Sequence, residues 1–221
     1  MGKIIVIEGT RGSSKEKQSK LLVERLKEKD IKCIYFDFPH YDSPTGKIIE
    51  GPYLGKSDTC PSYFEEGTAN VDPHISCLYY AADRKYNIKK IEEYLKQDYY
   101  VIIDRYTTSN MAHQGGKILD EDERFLMYQW IDKLEFWLLR LPKPDFTIFL
   151  HMPHEYACEM LKPVEKTDLE HLKNCEKAYI ELSELYNWDR VECVVEEHVK
   201  KEEEVHEEII NILKKSIREL N

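Results

Sequence analysis

The chain has 221 residues, of which 42% are hydrophobic and 33% are charged. This balance excludes a disordered chain and predicts a single folded domain over residues 1–221. Asp and Glu total 42 against 32 Lys and Arg, which gives a formal charge of −10. We therefore expect no nucleic-acid partner, and an anionic ligand would need a local cluster of donors.

The sequence also predicts whether the protein associates with membranes and whether its cysteines are reduced. The sequence contains no apolar run near the roughly 20 residues that cross a bilayer, so we expect no membrane association. The N-terminus lacks the basic-then-apolar pattern of a secretory signal. The scattered cysteines, without CxxC spacing, predict reduced thiols in a cytoplasmic protein, with zinc binding as the alternative. They are Cys33, Cys60, Cys77, Cys158, Cys175 and Cys193.

The chain begins with a strand, a loop and a helix. Lys3–Glu8 is an apolar run between Gly2 and Gly9, typical of a strand buried on both faces. Apolar residues recur at helical spacing over Lys15–Lys29, which predicts a helix there.

The rest of the chain repeats this alternation of strands and helices. Further strands are predicted at Lys32–Phe38, Tyr99–Asp104, Phe146–Met152 and Val191–Val195. Asp42–Asp72 is predicted to be loops with a short helix, and further helices are predicted at Pro73–Gln97, Glu121–Arg140, His154–Leu161, Thr167–Tyr186 and Lys201–Leu220. This order predicts a doubly wound α/β fold with a five-stranded parallel sheet flanked by helices.

The first loop partly matches the phosphate-binding pattern GxxxxGK[ST]. The segment from Gly9 to Glu16 reads GTRGSSKE, which agrees with the pattern at Gly9 and Lys15. Ser14 replaces the last glycine, and Glu16 stands where a hydroxyl would ligate Mg²⁺. A carboxylate about 4 Å from a phosphate costs several kcal/mol at an effective dielectric near 20. The segment therefore predicts either a weakened phosphate loop or a plain strand-to-helix turn.

A second group of polar residues follows a later strand. Asp104, Arg105 and Tyr106 come directly after the predicted strand Tyr99–Asp104. A carboxylate at the carboxyl end of a strand suits a hydrated magnesium ion, and an arginine suits a phosphate.

The sequence as a whole resembles the thymidylate kinase family. The segments that carry the resemblance are IIVIEGT (4–10), FPHYDSPTG (38–46), LYYAADR (78–84), DRYTTSNMAHQGGK (104–117) and LPKPDFTIFLHMP (141–153). The resemblance implies a P-loop kinase fold, a homodimer, and transfer of the γ-phosphate of ATP to dTMP with Mg²⁺.

The resemblance also implies roles for individual residues. Lys15 would contact the donor phosphates, Asp104 would organise Mg²⁺ and its waters, and Arg105 would bind the acceptor phosphate. The ATP-binding residues would be Gly9, Thr10, Arg11, Gly12, Ser13, Ser14, Lys15, Glu16 and Lys17.

Residues of several segments would form the acceptor site. Thymine would lie near Phe38, stack on Tyr80 and receive hydrogen bonds from Arg84 and Asn110. The other implied residues are Tyr41 at the monophosphate and His113 and Gln114 at the sugar and base. Core packing is the alternative for Phe38 and Tyr80, and a surface ion pair is the alternative for Arg84.

Two departures from the family pattern affect catalysis. Arg11 stands where the family usually has an aspartate that contacts the acceptor sugar, and guanidinium only donates hydrogen bonds. The segment Leu161–Asp168, where the family has a lid with arginines, contains no arginine. An arginine finger contributes about 10³ or more to the rate, and Arg11 would be its replacement.

These departures leave two alternatives to an active dTMP kinase. One is a catalytically impaired nucleotide-binding or regulatory homologue that retains the acceptor pocket. The other is a kinase for a different nucleoside monophosphate, which Arg11 suggests.

Overall fold

The computed structural model of the protein describes residues 2–56, 58, 60–160, 166–217 and 220, without the side chains of 160 and 166–168. The parallel strands are β1 (Lys3–Gly9), β2 (Cys33–Asp37), β3 (Tyr100–Asp104), β4 (Phe146–His151) and β5 (Asp189–Glu192). The helices are α1 (Lys15–Glu28), α2 (Pro44–Ile48), α3 (Pro73–Lys96), α4 (Thr107–Gly115), α5 (Glu121–Asp132), α6 (His154–Met160), α7 (Lys166–Leu185) and α8 (Glu202–Lys214). Two π-helical turns, Ile49–Tyr53 and Lys133–Leu138, continue α2 and α5.

The sheet confirms the predicted five-stranded parallel arrangement. Its strand order is β2-β3-β1-β4-β5, with β1 at the centre. Ile7 of β1 lies beside Asp104 of β3, and Gly9 lies beside Leu150 of β4. The carboxyl ends of these three strands therefore meet at one edge, where the chain order of the sheet reverses and α/β proteins bind ligands.

Apolar residues from both faces of the sheet form the core. Leu22 and Leu26 of α1 and Ile209 and Leu213 of α8 are fully buried against one face. Helix α3 covers β1, β2 and β3 on the other face, and α4, α5 and α7 pack together beside it. Each buried leucine or isoleucine contributes about 1.5–3 kcal/mol, so this packing fixes the loops at the strand ends.

The predicted fifth strand is shorter than expected. Strand β5 ends at Glu192, and the chain then forms a hairpin of β6 (Val194–Val195) and β7 (His198–Val199). The two turn residues, Glu196 and Glu197, both have positive φ angles, 49° and 64°. Two consecutive positive φ angles match the right-handed twist of paired strands, so the hairpin forms without glycine.

Helix α4 was not predicted. Its sequence, TTSNMAHQG, is rich in residues with weak helix propensity. Its first amide groups bond to Glu8 of β1, about a hundred residues away in the chain, at 3.0 Å for both Tyr106 N and Ser109 N. A capping carboxylate this distant in sequence gives no local signal.

The other predicted helices are present with shifted ends. The predicted helix Glu121–Arg140 is α5 followed by a π-helical turn, and the last helix ends at Lys214. The segment predicted as a shortened lid lies outside the described residues except for the backbone of 166–168. Among the helices that are described, none is both long and apolar enough to cross a membrane.

Candidate active site

The loop between β1 and α1 is anchored to the end of β4. The Thr10 hydroxyl donates to the Met152 carbonyl at 2.7 Å and accepts from the Met152 amide at 2.9 Å. The Ser13 hydroxyl donates to the Thr10 carbonyl at 2.8 Å. Gly12 has φ 85°, and a Cβ there would lie 3.3 Å from Ala157 of α6. These contacts hold the loop in one conformation although its sequence departs from the phosphate-loop pattern.

Ser14 has a left-handed backbone, with φ 55° and ψ 26°. A residue with a Cβ costs roughly 1–2 kcal/mol in this region. The loop therefore keeps the backbone that the pattern's glycine would take, with serine under strain.

We expect Ser14→Gly to stabilise the protein by about 0.5–1 kcal/mol. The released strain exceeds the added entropy of glycine in the unfolded chain, which is about 0.4–1 kcal/mol. Thermal unfolding should shift upwards by about 1–4 °C. Ser13→Gly is the matched control, because Ser13 is not among the residues with positive φ and its hydroxyl is bonded. A lower melting temperature for Ser14→Gly would contradict the assignment of strain.

Glu16, predicted to lie close to the phosphates, is paired with a lysine of its own helix. Its carboxylate bonds to Lys20 at 2.6 Å, one helical turn along α1, and its side chain is 65% exposed. The Lys20 hydrogen bond lowers the pKa of Glu16, so the carboxylate is ionised and paired. The expected repulsion of phosphate is therefore reduced, because the charge is neutralised locally and screened by water.

Lys17, another predicted ATP-binding residue, is also paired. Its ammonium group forms an ion pair with Glu202 of α8, and its side chain is exposed. Arg11 lies exposed in the loop. Of the three cationic residues from Arg11 to Lys17, Arg11 and Lys17 are exposed and Lys15 is half-buried.

Lys15, at the start of α1, and Asp104, at the end of β3, each affect the pKa of the other. Burial, followed by the charge of Arg105, lowers the pKa of Lys15 to about 8, and Asp104 opposes this shift. Burial raises the pKa of Asp104 to about 6, and the charges of Lys15 and Arg105 oppose that shift. Asp104 is 7% exposed, and its Oδ1 has no hydrogen-bond partner among the described residues. An unpaired buried carboxylate oxygen fits a magnesium ion, which prefers carboxylate and water ligands.

Arg105 turns the chain from β3 into α4. It has φ 66°, and its Nη1 donates to the Ser109 hydroxyl at 3.3 Å and to His113 Nε2 at 3.1 Å. Burial, followed by the charge of Arg105, lowers the pKa of His113 well below its usual range. His113 is therefore a neutral imidazole that accepts from Arg105 at neutral pH.

Glu8 is a site residue that the sequence analysis missed. Its fully buried carboxylate accepts from the amides of Tyr106 and Ser109 and from the hydroxyls of Thr108, Ser109 and Tyr179. Because Glu8 directly precedes Gly9, it joins the phosphate loop rigidly to the turn that carries Arg105. The signal in the sequence is a carboxylate inside an otherwise apolar strand, which needs several donors when buried.

A cavity of about 340 Å³ opens beside Arg105. All eight predicted acceptor-site residues line it, so the fold brings together segments that are up to 76 positions apart. They are Phe38, Tyr41, Tyr80, Arg84, Arg105, Asn110, His113 and Gln114. Each of the two rings predicted to contact a base also packs against another ring: Phe38 tilts against Tyr106 at 6.0 Å, and Tyr80 meets Tyr53 edge-on at 5.7 Å.

Arg84 has a different environment from the predicted one. It is 2% exposed, and its Nε and Nη2 donate to the two carboxylate oxygens of Glu135, which is fully buried. Glu135 also accepts from the Thr107 hydroxyl at 2.8 Å and from Asn110 Nδ2 at 3.2 Å. The ion pair of Arg84 is therefore buried and not at the surface. It occupies two guanidinium donors of Arg84, a residue predicted to donate to a base.

Two amide oxygens in the cavity wall have no partner in the described part of the chain. They are Oδ1 of Asn110 and Oε1 of Gln114, whose residues are both 4% exposed. Both residues line the cavity, so their oxygens are candidate acceptors for N–H or O–H groups of a ligand. The sequence predicted a hydrogen bond between Asn110 and the edge of a base.

Comparisons with known proteins identify the family and the fold. The family model described as thymidylate kinase matches residues 7–209. A probable thymidylate kinase of Methanocaldococcus jannaschii is 33% identical over 95% of each chain. The thymidylate kinase of Schizosaccharomyces pombe is 27% identical over 96% of this chain and 91% of its own. The structure of thymidylate kinase from Candida albicans, 23% identical, shares the fold with a TM-score of 0.70, covering 100% of this chain and 94% of its own.

Proposed function

Since this chain belongs to the thymidylate kinase family, we propose that it transfers the γ-phosphate of ATP to dTMP, giving dTDP and ADP. The observation that carries the proposal is the cavity lined by Arg105, a residue whose charge shifts the pKa values of Lys15 and Asp104. A donor in the loop and an acceptor in the cavity would approach each other across these three residues.

Each of these residues has a distinct proposed role. Lys15 binds the outer phosphates of ATP, and Arg105 binds the acceptor phosphate, so the two cations place the phosphates in line and neutralise their charge. Asp104 would hold hydrated Mg²⁺ through its unpaired oxygen. A bound magnesium ion supplies further neutralisation of the charge that develops on the transferred group. Glu8 keeps the donor and acceptor sides at a fixed separation.

The residues of the cavity wall favour a ligand whose pyrimidine base carries an N–H group. The oxygens of Asn110 and Gln114 are acceptors, and the N3–H of thymine is a donor. Phe38 and Tyr80 supply aromatic surface at the same cavity, with Tyr41 beside them.

Steady-state assays of ADP formation with a panel of monophosphates test this function. We expect turnover with dTMP and ATP that requires a divalent metal, and much weaker turnover with dCMP and dGMP. Turnover with several other monophosphates at rates equal to dTMP would instead favour the broader alternative suggested by Arg11. Calorimetric binding of dTMP without any ATP binding or turnover would overturn the kinase function.

Two observations weigh against a catalytically impaired homologue. The pairing of Glu16 with Lys20 reduces the repulsion that a phosphate would meet at the loop. Ser14 takes the left-handed backbone that the pattern requires of its glycine. The departures in the loop thus add backbone strain at Ser14 but leave the loop conformation unchanged.

We expect kcat/KM for ATP to follow a bell-shaped pH profile. Lys15 loses its charge as the pH rises above about 8, and Asp104 becomes protonated as the pH falls below about 6, so the optimum lies between them. Activity should fall about tenfold per pH unit on either side. At saturating ATP the alkaline limb should move to higher pH, because bound phosphate raises the pKa of Lys15. A profile flat from about pH 5 to 10 would contradict these roles.

We also propose that the protein acts as a homodimer in the cytoplasm. Ile75, Leu78 and Tyr86 lie on one face of α3 and are 44–57% exposed, which suits contact with a second copy. All six cysteines are free thiols, as expected in a reducing compartment. Light scattering should give about twice 26.3 kDa, and Leu78→Glu should shift the mass towards the monomer. A wild-type monomer at micromolar concentration would overturn the dimer.

A further inference from the structure

Three side chains with metal-binding atoms meet at one wall of the acceptor cavity. His113 comes from α4, and His171 and Cys175 are one turn apart on α7. The Cys175 Sγ lies 3.6 Å from His113 Nδ1 and 3.3 Å from His171 Nε2. A ligand atom can be chosen from each so that all three lie within 4.8 Å of one another. The phosphotransferase function proposed above does not use this cysteine or His171.

The distances from the sulfur to the two histidine nitrogens match a tetrahedral zinc site. With Zn–S near 2.3 Å and Zn–N near 2.0–2.1 Å, the sulfur and nitrogen ligands of a tetrahedral ion lie about 3.6 Å apart. The His113 and His171 ring centroids lie 6.1 Å apart, with an angle of 34° between the ring planes. Contraction by an ångström or so between the two histidines would complete the geometry.

We propose that His113, His171 and Cys175 bind a divalent cation of the zinc class. Zn²⁺ prefers imidazole and thiolate ligands, whereas Mg²⁺ prefers oxygen ligands. His113 and His171 also line the cavity, so the fourth coordination position faces it and takes water or a ligand in the cavity. On binding, the Cys175 thiol releases its proton to solvent and the sulfur ligates as thiolate.

Occupancy of this site changes the environment of Arg105. Without metal, His113 Nε2 accepts from Arg105, so the proton of the neutral ring is on Nδ1 and faces Cys175. Metal binding at Nδ1 moves that proton to Nε2, which then cannot accept from Arg105. The two states exclude each other, and the nearby charges of Arg105 and Lys117 make this site weaker than a closed structural zinc site.

Titration of the purified protein with Co²⁺ tests the proposal directly. Tetrahedral cobalt bound to a thiolate gives intense visible d–d bands and a sulfur-to-cobalt charge-transfer band, and Zn²⁺ should displace both. We expect His171→Ala to weaken cobalt binding by at least about tenfold, the loss typical of altered metal surroundings. Cys175→Ser should abolish the charge-transfer band and retain weaker binding.

Controls distinguish this site from others in the molecule. His154→Ala alters a second group of possible ligands, His154, Glu155 and Glu176, which has no sulfur, so the charge-transfer band should persist unchanged. Cys158→Ser removes a partly exposed thiol elsewhere and should also have no effect. The proposal is overturned if wild-type protein shows no charge-transfer band, or if the band survives His171→Ala and Cys175→Ser undiminished. Melting curves of His171→Ala, whose side chain is half-buried, verify that this variant is folded.

Discussion

Lys15→Met is expected to lower dTMP phosphorylation by at least about 10²-fold, the usual effect of removing one transition-state donor from a water-poor site. Methionine keeps the length and apolar contacts of lysine but has no charge. The half-buried Lys15 lies where the loop enters α1, close enough to Asp104 for each to shift the pKa of the other. Coupled measurement of ADP formation at saturating and limiting ATP checks the effect on kcat and kcat/KM.

A matched substitution two residues further along separates this effect from a general loss of charge. Lys17→Met removes an ammonium group that is paired with Glu202 on the surface, so the rate should stay within about twofold of wild type. Lys15→Met should not lower the melting temperature, because burial already disfavours the Lys15 charge in the folded protein. Equal losses of rate in the two variants, or an active Lys15→Met protein, would contradict the assignment of Lys15 to the donor phosphates.

The sheet was predictable because its signal is local. Apolar runs such as IIVI in β1 and VII in β3 indicate strands buried on both faces, and the alternation with helices fixes a parallel sheet. The acceptor residues could be gathered from their sequence segments only through the family resemblance. Periodicity alone does not bring Phe38 of one segment beside Asn110 of another.

The features that were missed depend on contacts between distant segments. Glu8 caps α4 across about a hundred residues, and Arg84 finds Glu135 across 51 residues. Neither partner is visible from local pattern. The pairing of Glu16 with Lys20 is different, since a carboxylate and a lysine four residues apart on a helix is a local signal. The Lys20 partner offsets part of the repulsion that Glu16 alone would exert on a phosphate.

Glu135→Gln is expected to lower the free energy of unfolding by about 3 kcal/mol. The substitution leaves the Arg84 guanidinium buried at 3% side-chain exposure without its opposite charge. It also places an amide donor among groups that donate to Glu135, namely the Thr107 hydroxyl and Asn110 Nδ2. Urea unfolding at neutral pH measures the change, and the melting temperature should fall by roughly 6–12 °C.

An exposed ion pair on the same protein serves as the control for this buried one. Glu121 pairs with Lys177 at 2.7 Å, but their side chains are 75% and 53% exposed, so Glu121→Gln should cost at most about 1 kcal/mol. Removing both buried charges in Arg84→Met/Glu135→Leu should recover only part of the loss, because Thr107 and Asn110 then lack their acceptor. Equal costs for Glu135→Gln and Glu121→Gln would mean that water reaches Glu135 and screens it. Arg84 would then have donors to spare for a base in the cavity, as the sequence first suggested, whereas a large difference assigns Arg84 to the wall that holds Asn110 in place.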